Sequence, residues 1–571
     1  MGLLSPSPSD SMNQIASFSI KVNGTVIESN YKIYRINTYK DVNKLSKAKI
    51  SIMGGDPKQN NFEESEETIF ATGNEVEISL GYDQTNILVF KGIISKHALK
   101  IKKGFQTSPL NNLLILDCLD KAVKLTNTYT TEIYEDKLDS DIIAALISNA
   151  PGVGKSISFT TTMNDFLPKY NCNDWDFILQ RAEVNGMIVL NSDNQITVTK
   201  PKPLLTIPEM TITYGKGMVD FEAEVNASTQ YSTFDISSYD PYNELNVSST
   251  SQEPSLIDQG DLDGLTISKD VSPDKNEIST SSVLTSSEAK NIADALLLRS
   301  RLSRLVGRVC VKGITNLDIG SVITLLGFGS RFSGLAYVTH LSHEFKNGSF
   351  ITWVGFGMRY NPIENNNKVD IGRYTSKIEG LHIGVVSKID ADPKGEFRIQ
   401  VKIPTLKSTG EGLWAKLATL YSSSEAGSFF IPEVNSQVVV SFLSNDSRYP
   451  VILGNLYTKT TTPYKSIEPD NQFKAILSKE KLAIEFDDTE KIITIKSSED
   501  NYIKIRETDK EIEITDINKN KILTSEKGIE LSSDKDIMIE AKGKIILKGS
   551  QGIVTDGGNK ITIKAGAIEM N

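Results

Sequence analysis

Residues 529–563 read IELSSDKD IMIEAKGK IILKGSQG IVTDGGNK ITI, and this eight-residue repeat decides the fold of the C-terminal part of the chain. Each unit opens on an isoleucine, and four of the five units place a second aliphatic residue two positions later. The paired positions are Ile529 and Leu531, Ile537 and Ile539, Ile545 and Leu547, Ile553 and Thr555, and Ile561 and Ile563. Side chains two residues apart share one side of a strand, so each unit predicts a short strand followed by a polar turn.

A looser version of the pattern precedes this repeat, with isoleucines nine or ten residues apart at Ile484, Ile493, Ile503, Ile512 and Ile522. A strip that is two side chains wide cannot enclose a core alone. We therefore expect residues 481–571 to form a C-terminal intertwined triple-stranded β-helix, a trimeric prism in which each strand pairs with strands of other chains. Its predicted core consists of Ile529, Leu531, Ile537, Ile539, Ile545, Leu547, Ile553, Ile561 and Ile563. A single-chain β-solenoid is the alternative, although it usually needs longer rungs with apolar residues on several faces.

Composition argues against a nucleic-acid-binding protein, a protein with a membrane-spanning helix and a disulfide-rich protein. The chain has 571 residues, a net charge of -10 and no dense run of Lys or Arg, so nucleic acid is not an expected partner. No stretch of 18 apolar residues occurs, and the N-terminus lacks the features of a secretion signal. Three widely spaced cysteines, Cys118, Cys172 and Cys310, predict buried free thiols rather than a disulfide framework.

The residues before the repeat are typical of a mainly β protein with helical insertions. Alternation at Phe18, Ile20 and Val22, followed by Asn23-Gly24, predicts a β-hairpin. Helical periodicity marks residues 136–149, 174–185 and 286–305, whereas the Ser- and Asp-rich residues 247–286 predict a long loop. The apolar positions of the first helix are Leu138, Ile142, Ile143, Leu146 and Ile147.

Short strand-like motifs between residues 384 and 457 resemble the OB-fold domain of the VgrG family, the spikes of type VI secretion and the related phage hub and spike proteins. They are Gly384-Val385-Val386, Gly395 to Pro404, Trp414-Ala415-Lys416, Ile431 to Val434, Val438 to Phe442 and Tyr449 to Tyr457. One departure is Asn435-Ser436, which stands where the family usually has a Gly-Asp turn. The first half resembles the hub of the same family through Gly73 to Val76, Phe90 to Ile93, Asn173 to Ile178 and Val338 to His343.

This resemblance implies a hub of two β-barrels with helical insertions, an OB-fold barrel and the prism. The expected segments are a flexible arm at 1–14, the hub at 15–360, a linker at 361–378, the OB domain at 379–457, a connector at 458–480 and the spike at 481–571. In the family, three hubs form a pseudo-six-fold ring that matches a hexameric tube to a three-fold spike.

Sequence signs of catalysis are weak. Ala150-Pro151-Gly152-Val153-Gly154-Lys155-Ser156 resembles a phosphate-binding loop, but Asn149 replaces the required first glycine and the order of helix and strand is reversed. His340 and His343 lie three apart in a strand, so they point to opposite faces and do not form a metal site. We expect no catalytic, cofactor or metal residue. A cell-wall hydrolase on a spike scaffold and an OB-based binder of nucleic acid or glycan remain the alternatives.

The C-terminus breaks the repeat, because the next in-phase position after Ile561 is Glu569. Three copies would present Ile568, Met570 and Asn571 on a small platform with open strand edges, which predicts a docking face. The family implies a tip protein of the PAAR-repeat type there, tube and baseplate proteins at the hub, effector cargo and transient contact with a target membrane. We expect synthesis in the bacterial cytoplasm, assembly into a particle and ejection from it. The sequence leaves open whether this particle is a type VI secretion system, an extracellular injection particle or a phage.

Overall fold

The computed structural model describes residues 14–571 except 57, 102–111, 202–206, 257–258, 270, 272–275, 360–376, 407–411, 565 and 570–571. The chain divides into two compact units, Met1–Leu456 and Tyr457–Asn571, each of which is described by itself. The predicted arm at 1–14 and the predicted linker at 361–378 lie almost entirely outside the described residues. Among the described residues, no helix is both long and apolar enough to cross a bilayer.

The N-terminal unit is mainly β, which confirms the predicted fold class. Its first strands are β1 Ala16–Val22, β2 Thr25–Val26, β3 Lys32–Asp41, β4 Lys47–Met53, β5 Glu75–Tyr82, β6 Thr85–Ile101, β7 Asn112–Leu119, β8 Tyr129–Leu138, β9 Gly154–Ile157, β10 Met163–Asn173, β11 Ile188–Ser192 and β12 Gln195–Thr199. The next are β13 Met210–Thr213, β14 Met218–Val225, β15 Phe234–Asp240, β16 Leu245–Thr250, β17 Asn276–Thr280, β18 Leu305–Lys312, β19 Val322–Leu326, β20 Gly334–Lys346 and β21 Ser349–Phe356. The helices are α1 Glu63–Glu66, α2 Asp139–Ser148, α3 Asp174–Val184, α4 Gly264–Ser268, α5 Ser286–Leu302 and α6 Gly329–Phe332.

Thirteen of the described hub strands belong to one continuous sheet with two cores. Its order is β14-β18-β21-β20-β3-β4-β7-β6-β5-β1-β2, and β13 and β19 join through β20. One core gathers Ile20, Ile36, Val76 and Leu116, which lie on strands far apart in this order, so the sheet must curl around them. The other core gathers Ile212, Val309, Ile323 and Val354 in the same way at the opposite end. Each end of the sheet therefore curls around a core of its own, whereas the described strands of the hub do not close into the two barrels that the family resemblance implies.

The helices begin and end close to the predicted positions because their caps are encoded locally. The Asn173 side chain accepts a hydrogen bond from the Asp176 amide at the start of α3. Thr285 and Glu288 form a reciprocal capping box at the start of α5. The prediction of a long loop at 247–286 was wrong in part, because α4 and β17 lie within it. Strand β17 is held by parallel pairing with β15, which is remote in sequence.

The OB region forms a closed barrel in the order β22-β23-β24-β28-β27. Its elements are β22 His382–Lys388, β23 Ile399–Lys402, β24 Leu413–Leu417, the small hairpin of β25 Ser422–Ser423 and β26 Ala426–Gly427, β27 Gln437–Phe442 and β28 Pro450–Leu456. The departure at Asn435-Ser436 keeps the turn, because Asn435 adopts a φ of 71° and asparagine tolerates this left-handed region. The Asn435 amide donates to Val386 O at 2.8 Å and ties the turn to β22.

The C-terminal unit begins as an antiparallel meander, which we define as residues 473–532. Its strands are β29 Phe473–Leu477, β30 Ala483–Asp487, β31 Ile492–Lys496, β32 Tyr502–Arg506, β33 Glu511–Thr515, β34 Lys521–Ser525 and β35 Gly528–Ser532. Each strand pairs with the strand before it and the strand after it in this same chain. The sheet therefore starts at Phe473, within the residues that the sequence assigned to a connector.

Candidate functional site

The meander has one apolar face. Its register sets Ile484 opposite Ile495 and Phe486 opposite Ile493, and the pattern continues through the later strand pairs except at Thr524, which lies opposite Ile512 and Ile529. Directly opposite residues of antiparallel strands lie on the same face. The apolar face consists of Ile484, Phe486, Ile493, Ile495, Ile503, Ile505, Ile512, Ile514, Ile522, Ile529 and Leu531.

Among the residues that the structure describes, none covers the apolar face. The exposed fraction of its side chains ranges from 38% for Ile484 to 77% for Ile529. Burial of apolar surface contributes about 25 cal/mol per Å², and monomeric proteins rarely leave so large a contiguous patch in water. The face is therefore built for contact with another protein surface.

The opposite face of the meander, here called the charged face, satisfies its own charges. Glu513 accepts from Arg506 at 2.6 Å and lies 3.4 Å from Lys521, and the Tyr502 hydroxyl donates to it at 3.2 Å. Burial opposes the ionisation of Glu513, but Arg506 and then Lys521 hold its pKa below the ordinary value. Lys496 and Glu485 form a further cross-strand pair at 3.4 Å. The two faces differ in that only the apolar face lacks partners.

The predicted core residues divide between two kinds of backbone. Ile529 and Leu531 lie on β35, where they pair with Thr524 and Ile522. The other seven lie in the terminal repeat, which we define as residues 533–569 and in which the described residues form no strand. Their exposed fractions range from 50% for Ile545 to 68% for Ile563, so the single chain does not bring them together.

The expectation that every spike strand pairs with other chains is wrong for the meander. Spacings of nine or ten residues leave four or five residues between strands, such as 488–491 and 497–501, and these loops close antiparallel hairpins within the chain. Over the described residues of the terminal repeat, two bonds join backbone groups, both across turns: Gly552 N to Gly549 O and Lys560 N to Gly557 O. There, pairing with other copies stays a prediction.

The predicted docking platform is described only in part. Ile568 is 55% exposed. Met570 and Asn571 lie outside the described residues. The platform therefore stays a prediction from the sequence.

A buried ion pair joins the OB barrel to the hub, and sequence reasoning missed it. Arg448, in the β27–β28 connection, donates to Glu288 at the start of α5 and to Val283 O at 3.2 Å. Asp446 accepts from the same guanidinium at 2.7 Å. Burial opposes the charge of Glu288, but Arg448 and the bonds from Thr285 hold its pKa below the ordinary value. The one local signal was the Thr285-x-x-Glu288 box, which predicts a cap and not an ion pair.

Further contacts support this joint. The rings of Tyr242 in the hub and Tyr449 in the barrel lie 5.3 Å apart. Lys416 lies 3.9 Å above the Tyr242 ring and donates to Pro241 O at 3.1 Å. Phe166 and Tyr170 of β10, together with Ile133 of the neighbouring strand β8, pack against the barrel core. The hub and the barrel therefore share an apolar contact with a charged pair at its side.

The residues considered for chemistry serve structural contacts. His343 is buried and bonds to Thr352 at 2.9 Å, and burial, followed by the charge of Lys40, lowers the pKa of His343 to about 3. His340 instead contacts Asp41 at 2.8 Å. In the loop that resembles a phosphate site, Lys155 donates to Ala144 O of α2 at 2.7 Å. Within the described residues, no three His, Cys, Asp or Glu side chains are grouped to hold a metal ion.

Comparisons with known proteins agree with this architecture. Residues 12–347 match the Alg8 N-terminal domain, and residues 382–457 match the type VI secretion system/phage-baseplate injector OB domain. The type VI secretion system spike protein VgrG3 of Vibrio cholerae serotype O1 is 33% identical over 96 residues, which is 16% of this chain. The match spans 9% of the length of VgrG3.

Two solved structures of a PdpA–VgrG complex share the fold. The lidded Francisella complex gives a TM-score of 0.54 at 12% identity and covers 92% of this chain and 80% of that chain. The lidless complex gives a TM-score of 0.52 at 11% identity, with coverage of 91% and 98%. Through residues 12–347 the chain belongs to the Alg8 N-terminal domain family, and through its OB domain and its fold it is similar to VgrG spike proteins.

Proposed function

We propose that three copies of the chain form the hub and spike of a contractile injection system. The observation that carries this proposal is the apolar face of the meander, which is continuous with a terminal repeat of the same chemistry and is uncovered in one chain. Three such strips turned toward a common axis would bury both, while the charged faces stay in water. The proposed role of the trimer is mechanical and involves no catalysis.

The hub and the barrel would give this spike its attachment. The hub sits on the first ring of the inner tube and adapts the six-fold tube to the three-fold spike. The barrel follows the hub through the joint at Arg448, and the prism leads the particle through the target membrane. The family match of the barrel to a phage-baseplate injector domain supports this order.

The expected partner proteins differ between the hub and the C-terminal end of the spike. We expect tube and baseplate proteins at the hub and a PAAR-type tip protein at the C-terminal platform of Ile568, Met570 and Asn571. The Francisella VgrG is seen in a complex with PdpA, which supports a further partner such as effector cargo on this spike. The chain would be made in the bacterial cytoplasm and leave it with the particle.

Light scattering of the full-length protein tests the assembly. The expected result is a mass three times that of the chain, stable on dilution, because each copy contributes one strip of the core. A monomer that persists at high concentration would refute the trimer and with it the proposed function.

Co-purification tests the two ends separately. Full-length protein and a variant lacking residues 565–571 are each mixed with tube protein and with the tip protein of the same particle. Both should form trimers and bind tube protein, but only the full-length chain should retain the tip protein. If the shortened variant binds the tip protein equally well, the docking face lies elsewhere.

A further inference from the structure

The charge of the C-terminal unit reverses along its length. The meander has 11 Lys or Arg against 14 Asp or Glu. Residues 541–568 instead contain five lysines against one acidic residue, Asp556, in a chain whose net charge is -10. We call these five residues the lysine collar; they are Lys542, Lys544, Lys548, Lys560 and Lys564.

The collar lysines also differ in their surroundings from the paired basic residues of the meander's charged face. On the charged face, Arg506 and Lys521 share Glu513, and Lys496 lies beside Glu485. In the described part of the terminal repeat, all five collar side chains are exposed and have no ion-pair partner. Their charges are therefore available to a partner outside the chain.

The positions between the paired isoleucines change in the same region. In the meander these positions hold mostly polar residues, among them Glu485, Thr494, Lys504 and Glu513. In the terminal repeat three of the four positions are aliphatic, namely Met538, Ile546 and Val554, which are 84%, 67% and 95% exposed, and the fourth is Thr562. Alternate side chains of an extended strand point to opposite sides. When the isoleucine pairs turn inward, Met538, Ile546 and Val554 therefore face outward among the collar lysines.

Outward aliphatic side chains among unpaired lysines are complementary to the surface of an anionic lipid bilayer. A lipid bilayer with anionic head groups attracts lysines electrostatically and accepts aliphatic side chains at the boundary between head groups and acyl chains. Single-stranded nucleic acid is a poorer fit, because residues 541–568 contain no aromatic residue for stacking and no arginine. An acidic protein would satisfy the lysines but not the isolated outward aliphatics.

We propose that the outward surface of residues 538–564, formed by Met538, Ile546, Val554 and the lysine collar, binds the anionic phospholipid surface of a bilayer. The proposal rests on the proposed trimer, in which the collar repeats three times around the axis just behind the leading end. Charge attraction would hold the leading end at the bilayer, and the outward aliphatics would enter the head-group region.

Vesicle co-sedimentation of the full-length protein tests this surface. The probes are vesicles of phosphatidylcholine alone and vesicles of phosphatidylcholine mixed with phosphatidylglycerol. The test variant carries Lys542→Gln, Lys544→Gln and Lys548→Gln. The matched control carries Lys481→Gln, Lys491→Gln and Lys519→Gln, which removes the same charge from exposed turns of the meander.

We expect the unmodified protein and the control to bind the anionic vesicles roughly tenfold or more tightly than the neutral ones, and high salt to remove the difference. The collar variant should lose roughly tenfold or more of its affinity for the anionic vesicles. Met538→Thr with Val554→Thr should weaken binding that survives high salt.

Three results would overturn the proposal: equal binding to both vesicle types, an unchanged collar variant, or tighter binding to DNA than to anionic vesicles. Light scattering on the same samples separates the two claims. A trimer that ignores anionic vesicles contradicts only the membrane surface, whereas a monomer contradicts the proposed function itself.

Discussion

The meander and the terminal repeat have nearly the same side-chain pattern but different backbones. In the meander, paired aliphatics recur every nine or ten residues, and each strand finds its partner within the chain. In the terminal repeat they recur every eight residues, and the described backbone makes two turn bonds and no strand pairs. In the proposed trimer, the meander would need other copies only for its side chains. The terminal repeat would need them for its backbone groups as well, because unpaired amides and carbonyls are costly to bury.

Ile537→Asp should give the largest effect, because it lies in the terminal repeat. In the proposed trimer, this region would depend on other copies both to bury its side chains and to pair its backbone groups. Three carboxylates would converge on one axis, and each unpaired buried charge costs several kcal/mol. We expect the trimer to dissociate at concentrations where the unmodified protein stays assembled. The measurement is molar mass by light scattering, with Ile537→Val as the control that keeps the side chain apolar. A fully stable trimer of Ile537→Asp would contradict an intertwined terminal repeat.

Hydrogen exchange on the Ile537→Asp variant should separate the two regions directly. Amides of β31, β32 and β33 should stay protected in the dissociated chain, because their acceptors are in the same chain. Amides of residues 541–564 should exchange close to the unfolded rate, although they are protected in the assembled protein. Equal protection of both regions in the dissociated chain would mean that the terminal repeat forms its own pairs.

Ile505→Asp should have a smaller effect than Ile537→Asp. It places a charge in the centre of the apolar face, but the backbone bonds of β32 to β31 and β33 remain within the chain. We expect a trimer that dissociates on dilution and a meander that keeps its strand content by circular dichroism. Glu530→Asp, on the opposite face of β35, is the control. If Ile505→Asp removed the strands altogether, the meander would not be closed within one chain.

Glu513→Gln should give the smallest effect, because the amide keeps the size of the buried side chain and Arg506 retains Glu511 as a second partner at 3.4 Å. The pKa of Glu513 is lowered in the folded chain, so its stabilising effect is present above the ordinary carboxyl pKa and is lost as the pH falls. We expect the melting temperature of the variant to lie a few degrees below that of the unmodified protein at neutral pH. The two should converge as the pH falls through the lowered pKa of Glu513. A difference that persists at acid pH would assign the effect to packing.

The sequence predicted those parts of the structure that depend on local patterns. The isoleucine spacing predicted the strand units of the meander, although the described residues of the terminal repeat form no strand, and Asn173 and the Thr285-x-x-Glu288 box predicted the starts of α3 and α5. Strand β17 escaped prediction because its partner β15 lies more than 30 residues earlier in the chain. Pairing within the meander escaped because side-chain spacing fixes which face a residue occupies, and not which chain supplies the next strand.

The ion pair of Arg448 with Glu288 could not be predicted from the sequence for a similar reason. Nothing near Arg448 in the sequence points to Glu288, 160 residues away. The candidate platform at the C-terminus stays a prediction, because only Ile568 of its three residues lies in the described part of the chain.

The same joint sets a condition on how such proteins can exchange parts. A barrel and spike grafted from one relative onto the hub of another bring the Arg448 guanidinium with them, and removing one partner of a buried pair costs about 3–5 kcal/mol. Asp446 travels with Arg448 and remains its partner, so a graft should be most stable, rather than possible only, where the receiving hub offers a carboxylate at the position of Glu288 and a helix that begins there. Recombination among spikes should accordingly favour crossovers that transfer the start of α5 together with the barrel, so that the inherited module is larger than the barrel itself.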